Sequence, residues 1–306
     1  MSATPSAHSA RNASIGMTCA VFGALGFAMK AIFIKLAYAH GVDAETLLAL
    51  RMGYALPFFI GMGVAVALRN PITLSRRDIG MLFLLGVLGY YLASYLDFLG
   101  LKYITAALER ITLFIYPTLV VVLSAIFLRK PLTRPAVVAL AICYAGAILA
   151  FAHDLGQPHG DEVMKGTLLV LGSALSYALY IMLSGEEVGR LGSTRVAAWA
   201  TGFACLLSLT QFVAIRPLVS IVEQPWQVHA LSLAMAVFST VLPIWLTSEA
   251  IRRLGAGPAS MVGTLGPVIT ILLGWLILGE SLGALQIVGA ALVIYGVSRI
   301  PKAGKA

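Results

Sequence analysis

The chain predicts an all-α integral membrane protein: ten transmembrane helices, built as two inverted five-helix repeats. Three observations carry that reading. The first is composition, 59% hydrophobic and only 11% charged residues over 306 positions, where soluble domains carry about 25% charged. The second is the length of the apolar stretches, about 18 to 23 residues, enough for a helix to cross roughly 30 Å of hydrocarbon. The third is internal repetition. Residues 101–133 (LKYITAALERITLFIYPTLVVVLSAIFLRKPLT) recur without a gap as residues 251–283 (IRRLGAGPASMVGTLGPVITILLGWLILGESLG). The offset of 150 puts Ala106 on Ala256, Pro117 on Pro267, Leu123 on Leu273 and Leu128 on Leu278. It also puts Ala24, Leu25 and Ala28 on Ala174, Leu175 and Ala178, and Val87, Leu92 and Leu96 on Val237, Leu242 and Leu246. A membrane β-barrel would show short segments of strict alternation, which are absent. Helices satisfy their own backbone in lipid, so the spans are helical.

The spans follow in order. A polar tail, residues 1–14, has no basic stretch before a short apolar core and reads as a cytosolic tail, not a cleaved signal. Span 1 covers 15–38. Span 2 covers 44–68 and stops at Arg69, and span 3 covers 79–100 after Arg76 and Arg77. Span 4 covers 105–128 and stops at Arg129 and Lys130, and span 5 covers 135–152 after Arg134. These five form repeat 1, residues 15–152. Residues 153–163 (HDLGQPHGDEV) are acidic and glycine-bearing and form an extracytoplasmic joint. Repeat 2, residues 164–300, holds spans at 164–184, 194–215, 228–250, 256–278 and 282–300, before a cytosolic tail at 301–306.

With the N-terminus cytosolic, fourteen Lys and Arg residues fall in inner segments. Four lie toward the outside: Lys35, Lys102, Lys165 and Arg216. That bias places both termini in the cytosol of a cytoplasmic (inner) membrane. It also accounts for the net charge of +8 without a nucleic-acid partner. Cys19, Cys143 and Cys205 all fall inside spans with no CxxC or Cys/His spacing, so they read as packing residues, and no metal or cofactor site is expected.

Five spans per repeat is an odd number, so the second repeat enters the membrane from the opposite side. Such pairs are related by a pseudo-two-fold axis in the membrane plane, the construction of many secondary transporters. A rigid, non-transporting scaffold and an intramembrane enzyme are the other classes. The enzyme lacks a convergent nucleophile or acid/base pair, so no catalytic residue is expected.

The segment GALGFAMKAIFIKLAYAHGVDAETLLALRMGY resembles the EamA-type branch of the drug/metabolite transporter superfamily. So do the mid-span prolines followed by apolar runs that end spans 4 and 9, …YPTLVVVLSAIFLRKPLT and …GPVITILLGWLILGESLG. Gly279, Glu280, Ser281 and Leu282 keep the recurrent ending, where the first half has Arg129, Lys130, Pro131 and Leu132. The resemblance implies a cavity surrounded by spans 1–4 and 6–9, with spans 5 and 10 peripheral. It implies export or exchange of small metabolites.

Charges in the bilayer are expensive and mark function or architecture. Five stand out: Lys30, Arg51, Asp97, Glu109 and Arg110. Lys30 is too deep to snorkel and is read as a cationic anchor for substrate. Arg51, Asp97 and Arg110 are read as structural or coupling charges. Glu109 shares a helix stripe with Thr112 and Tyr116 and is either a substrate or coupling group or a structural partner. Span 6 carries a stripe of Ser173, Ser176, Tyr177, Tyr180 and Ser184, facing either a wet cavity or interhelical hydrogen bonds. Tyr90, Tyr91, Ser94 and Tyr95 add polar groups from span 3, Thr240, Trp245 and Thr247 from span 8, and Ser260 and Thr264 from span 9. The expected substrate site is Lys30, Tyr91, Ser94, Glu109, Tyr116, Ser176, Tyr177 and Tyr180. Pro117 and Pro267, in matching mid-span positions, are expected to kink the gating helices. No nucleotide motif is present, so protons or a counter-substrate must drive a small polar substrate, such as an amino acid or organic anion. The oligomeric state is not legible.

Overall fold

The computed structural model describes residues 7–127, 129, 134–155, 160–254, 262 and 265–299. Among them every extended element is helical. Eight helices are long and apolar enough to cross a membrane: α1 (Ala7–Tyr38), α2 (Ala44–Arg69), α3 (Arg76–Gly100), α4 (Ala106–Phe127), α5 (Arg134–Leu155), α6 (Gly160–Leu191), α7 (Ser193–Ile215) and α8 (Trp226–Leu254). Two shorter apolar helices follow, α9 (Gly266–Leu278) and α10 (Ala284–Arg299). Most of the expected first half of span 9, with Ser260 and Thr264, lies outside the described residues.

Helix ends follow local chemistry more than hydropathy. Asp43 caps α2, accepting from the Thr46 amide at 2.9 Å and the Thr46 hydroxyl at 2.8 Å. Ser75 and Asp78 form a reciprocal capping box on α3. Thr105 caps α4 through the Leu108 amide at 3.0 Å. Where no breaker intervenes, helices overrun the apolar boundary. Residues 7–14 contain neither Pro nor Gly, and α1 reaches back through them to Ala7. Helices α5 and α6 likewise extend to Leu155 and from Gly160, into the expected joint.

The repetition is structural as well as sequential. Both α3 and α8 pass through a π-helical turn, at Val87–Leu92 and Val237–Val241, the same place at an offset of 150. A π turn leaves carbonyls without their usual partners. In α3 the Leu88 carbonyl accepts from the Ser176 hydroxyl of α6 at 2.7 Å. In α8 the matching Phe238 carbonyl faces Gly26 of α1, where an added methyl would come within 2.5 Å of it. The chain also takes left-handed conformations at matching points, with φ +52 at Arg129 and +67 at Gly279. Packing repeats in the same manner: α1 lies on α8 as α6 lies on α3, while α2 meets α7 and α5 meets α10.

The α5–α10 crossing is close because it is lined by small residues. A methyl on Gly146 would lie 2.5 Å from the Gly289 carbonyl, and one on Gly296 would lie 2.9 Å from the Ala139 carbonyl. These two contacts are mates under the 150-residue offset. In lipid, where no hydrophobic force joins helices, such close approach supplies the association energy. The rim is apolar, with Leu68 80% exposed and Leu276 66% exposed, as lipid contact requires.

The prolines do something other than kink a continuous helix. Helix α4 breaks at Phe114–Ile115 and resumes at Tyr116, so Pro117 sits in the first turn of a new half-helix. Pro267 occupies the same place in α9. There the missing N–H costs nothing, because first-turn amides have no intrahelical acceptor.

Candidate functional site

Lys30 projects from α1 to a point where α1, α3 and α4 meet. Its Nζ lies 2.5 Å from Asp97 Oδ2 and 3.3 Å from Glu109 Oε1. The Asp97 and Glu109 side chains are 2% and 0% exposed, and Lys30 15%. Pairing is what makes their burial tolerable, because an unpaired buried charge costs several kcal/mol. Asp97 Oδ1 and Glu109 Oε2 have no hydrogen-bond partner among the described residues.

Arg51 enters from α2. Its Nε donates to Thr240 Oγ1 at 3.2 Å, Nη1 reaches Ser94 Oγ at 3.5 Å, and the guanidinium carbon stands 5.5 Å from the Phe98 ring centre. Asp97 is within electrostatic reach. Thr240 belongs to the π turn of α8, so Arg51 bridges the two halves of the chain.

Arg110 follows Glu109 and so points about 100° away round the helix. It lies against α9: a methyl at Gly266 would sit 2.7 Å from its Nη2 and 3.3 Å from its Nε. That Nε is buried without a hydrogen-bond partner among the described residues.

The tyrosines form a continuous ring stack. Tyr116 meets Tyr177 edge-on at 5.0 Å, Tyr177 lies over Tyr180 at 5.6 Å, and Tyr180 meets Tyr90 at 5.2 Å, their hydroxyls 3.1 Å apart. Tyr91 stands apart, stacked on Tyr95 at 6.4 Å. Span 3 offers both Tyr90 and Tyr91 in sequence, and within the π turn it is Tyr90 that meets Tyr180.

The expected residues thus divide into three groups. Lys30 and Glu109 come together with Asp97. Tyr116, Tyr177 and Tyr180 come together with Tyr90. Ser94 serves Arg51, and the Ser176 hydroxyl is spent on the Leu88 carbonyl. Ser173 donates to the Ala93 carbonyl at 2.7 Å and Ser184 to Ile181 at 3.1 Å, so the serine stripe works as interhelical and local bonding. Lys30, expected as a cationic anchor, is set against two carboxylates in this geometry.

Sequence reasoning missed Gly266 and a second polar cluster at the start of α4 and the ends of α5 and α9. There Glu280 accepts from the Ala106 and Ala107 amides at 2.7 and 3.3 Å. Asp154 accepts from the Thr105 hydroxyl at 2.7 Å and from Gln286 at 3.4 Å. The Gly-Glu ending of span 9 was the visible signal: Glu280 caps the start of α4 from the far half of the chain.

A helical bundle with apolar outer faces and an ionic cluster buried among its helices is a multi-pass membrane protein built around an internal polar centre. The sequence pattern of the EamA-like transporter family matches residues 14–152 and 164–300, each half separately. The chain belongs to that family and is a transporter of it. It is 31% identical over 291 residues to the uncharacterized transporter YcbK of Bacillus subtilis (strain 168), covering 94% of this chain and 93% of that one. It is 31% identical over 147 residues to the threonine/homoserine exporter RhtA of Escherichia coli (strain K12), covering 48% of each chain. A crystal structure of a protein 17% identical to this chain superposes on it with a TM-score of 0.57, over 95% of this chain and 97% of the other. That likeness concerns the fold.

Proposed function

We propose that this protein is a secondary transporter of the cytoplasmic membrane that exports or exchanges a small polar metabolite of the amino-acid class. The observation that carries the proposal is the buried charge centre of Lys30, Asp97, Glu109 and Arg51, which reaches across the halves to Thr240 and adjoins the break in α4. Ten spans with both termini cytosolic make the halves inverted repeats, and the matched π turns and matched half-helix starts at Tyr116 and Gly266 support that arrangement. Two such repeats have two arrangements of similar energy, opening to opposite sides, which is alternating access. The likeness to a threonine/homoserine exporter over half the chain supports an amino-acid substrate.

Two carboxylates share one ammonium at Lys30, so the centre can take up one proton and still keep an ion pair. This favours Glu109 as a coupling residue over a purely structural one. The test is transport of radiolabelled L-threonine and of a wider amino-acid panel in proteoliposomes, with and without an imposed pH gradient. Wild type is expected to accumulate substrate with the gradient. Glu109→Gln is expected to lose accumulation and keep counter-exchange. Absence of both flux and counter-exchange across the panel for folded wild type would refute transport of this class.

A further inference from the structure

We propose that Arg110, whose guanidinium packs on Gly266 in a berth between the halves, is the receptor for a carboxylate on the transported substrate; this rests on the transport reading above. Of the five deep ionisable side chains, Lys30 and Arg51 are set against Asp97 and Glu109 and cancel them. The positive charge left over is Arg110. No described carboxylate forms an ion pair with it, and its shielded Nε has no hydrogen-bond partner among the described residues. Charged side chains within membrane spans are costly and mark function or architecture. An arginine inside a span with no carboxylate ion-pair partner among the described residues is one a ligand can complete.

The berth has a specific shape. A methyl at Gly266 would lie 2.7 Å from Arg110 Nη2, 3.3 Å from Nε and 3.5 Å from Cζ, so the guanidinium rests directly on glycine backbone. Gly266 begins the half-helix Gly266–Leu273, which has no side-chain cap. A cation beside the positive end of a helix is disfavoured by the helix dipole, and an anion beside both is favoured. Tyr116 and Tyr177 lie within electrostatic reach of Arg110 and add hydroxyl donors at the same place.

The ligand class follows from the donor. A guanidinium fork matches a planar carboxylate through two parallel hydrogen bonds. One surplus positive charge balances one carboxylate, whereas a phosphate monoester carries about 1.5–2 negative charges. The berth therefore selects monocarboxylates, including the carboxylate of an α-amino acid, over phosphates and simple amines.

The test reads Arg110 directly. Purified wild-type protein is treated with 2,3-butanedione, and the Arg110 adduct is followed by peptide mass spectrometry. Protectants are the protein amino acids, acetate and other small monocarboxylates, inorganic phosphate, and amines lacking the carboxyl group, such as 1-aminopropan-2-ol against L-threonine. The expected result is that Arg110 reacts, and that at least one monocarboxylate slows the reaction while its decarboxylated amine and phosphate do not. Gly266→Ala should keep the labelling but raise the protecting concentration about tenfold or more, because a displaced guanidinium no longer aligns with the carboxylate. Three outcomes overturn the proposal: an Arg110 inert to the reagent, labelling that no monocarboxylate slows, or equal protection by the amine. Protection without flux in proteoliposomes would instead leave the binding site standing and remove the transport reading.

Discussion

Cys143 Sγ lies 3.6 Å from the carbonyl oxygen of Val293, the residue 150 positions further on. A residue that touches its own counterpart marks the local axis relating two similar halves, here the crossing of α5 and α10. With Gly146 and Gly289 on one side and Gly296 and Ala139 on the other, this crossing is a close-fitted interface between the halves.

The crossing should tolerate covalent closure and resist enlargement. In a background lacking Cys19 and Cys205, Val293→Cys is expected to cross-link with Cys143 on mild oxidation. The bond should appear as a mobility shift reversed by reductant. Gly289→Val should lower the detergent melting temperature markedly, by a mechanism of overpacking that costs about 1–3 kcal/mol. A cross-link that fails to form in folded protein would contradict the position of the crossing.

Lys30→Ala is expected to leave Asp97 and Glu109 buried without their cation. Breaking a buried pair from one side costs about 3–5 kcal/mol, so the variant should melt early or accumulate poorly. Lys30→Ala combined with Glu109→Gln should recover a large part of that loss, since one of the two stranded charges is gone. Thermal melts of the single and double variants measure this coupling. Equal destabilisation with and without Glu109→Gln would show that Lys30 does not hold the carboxylates.

The matched π turns of α3 and α8 are served by different residues at matching positions, and the difference is measurable. Ser176→Ala removes one interhelical hydrogen bond to the Leu88 carbonyl, worth about 0.6 kcal/mol in a membrane protein. Gly26→Ala puts a methyl 2.5 Å from the Phe238 carbonyl. It should be the more damaging change, by a factor of two or more in stability loss on the overpacking scale of about 1–3 kcal/mol. Melting curves of the two variants decide the order.

Topology is checked at two exposed turns. With the N-terminus cytosolic, His40 lies outside and Thr194 inside. His40→Cys and Thr194→Cys, each in a background lacking Cys19, Cys143 and Cys205, would be exposed to an impermeant thiol reagent on intact cells. Labelling is expected at position 40 alone. Labelling at 194 alone would invert the assignment.

Much of the architecture was legible before folding, because span length, loop charge and repetition are all one-dimensional properties. The sequence by itself marked the membrane helices, the 150-residue offset and the five charges inside the spans, since an ionised group inside an apolar run is conspicuous anywhere. It also marked Tyr116, Tyr177 and Tyr180 through helical spacing. What it left open was partnership. Lys30 meets Asp97 across 67 residues, and Arg51 meets Thr240 across 189, distances over which no periodicity carries information. Nor did the α-helical period foresee the π turn, which inserts a residue into α3 and brings Tyr90, instead of Tyr91, to Tyr180. Tertiary structure decided which cation forms ion pairs among the described residues and which does not. Lys30 is held by two carboxylates brought from α3 and α4, while Arg110, one residue past Glu109 but on another face of the helix, rests against a glycine that supplies no charge.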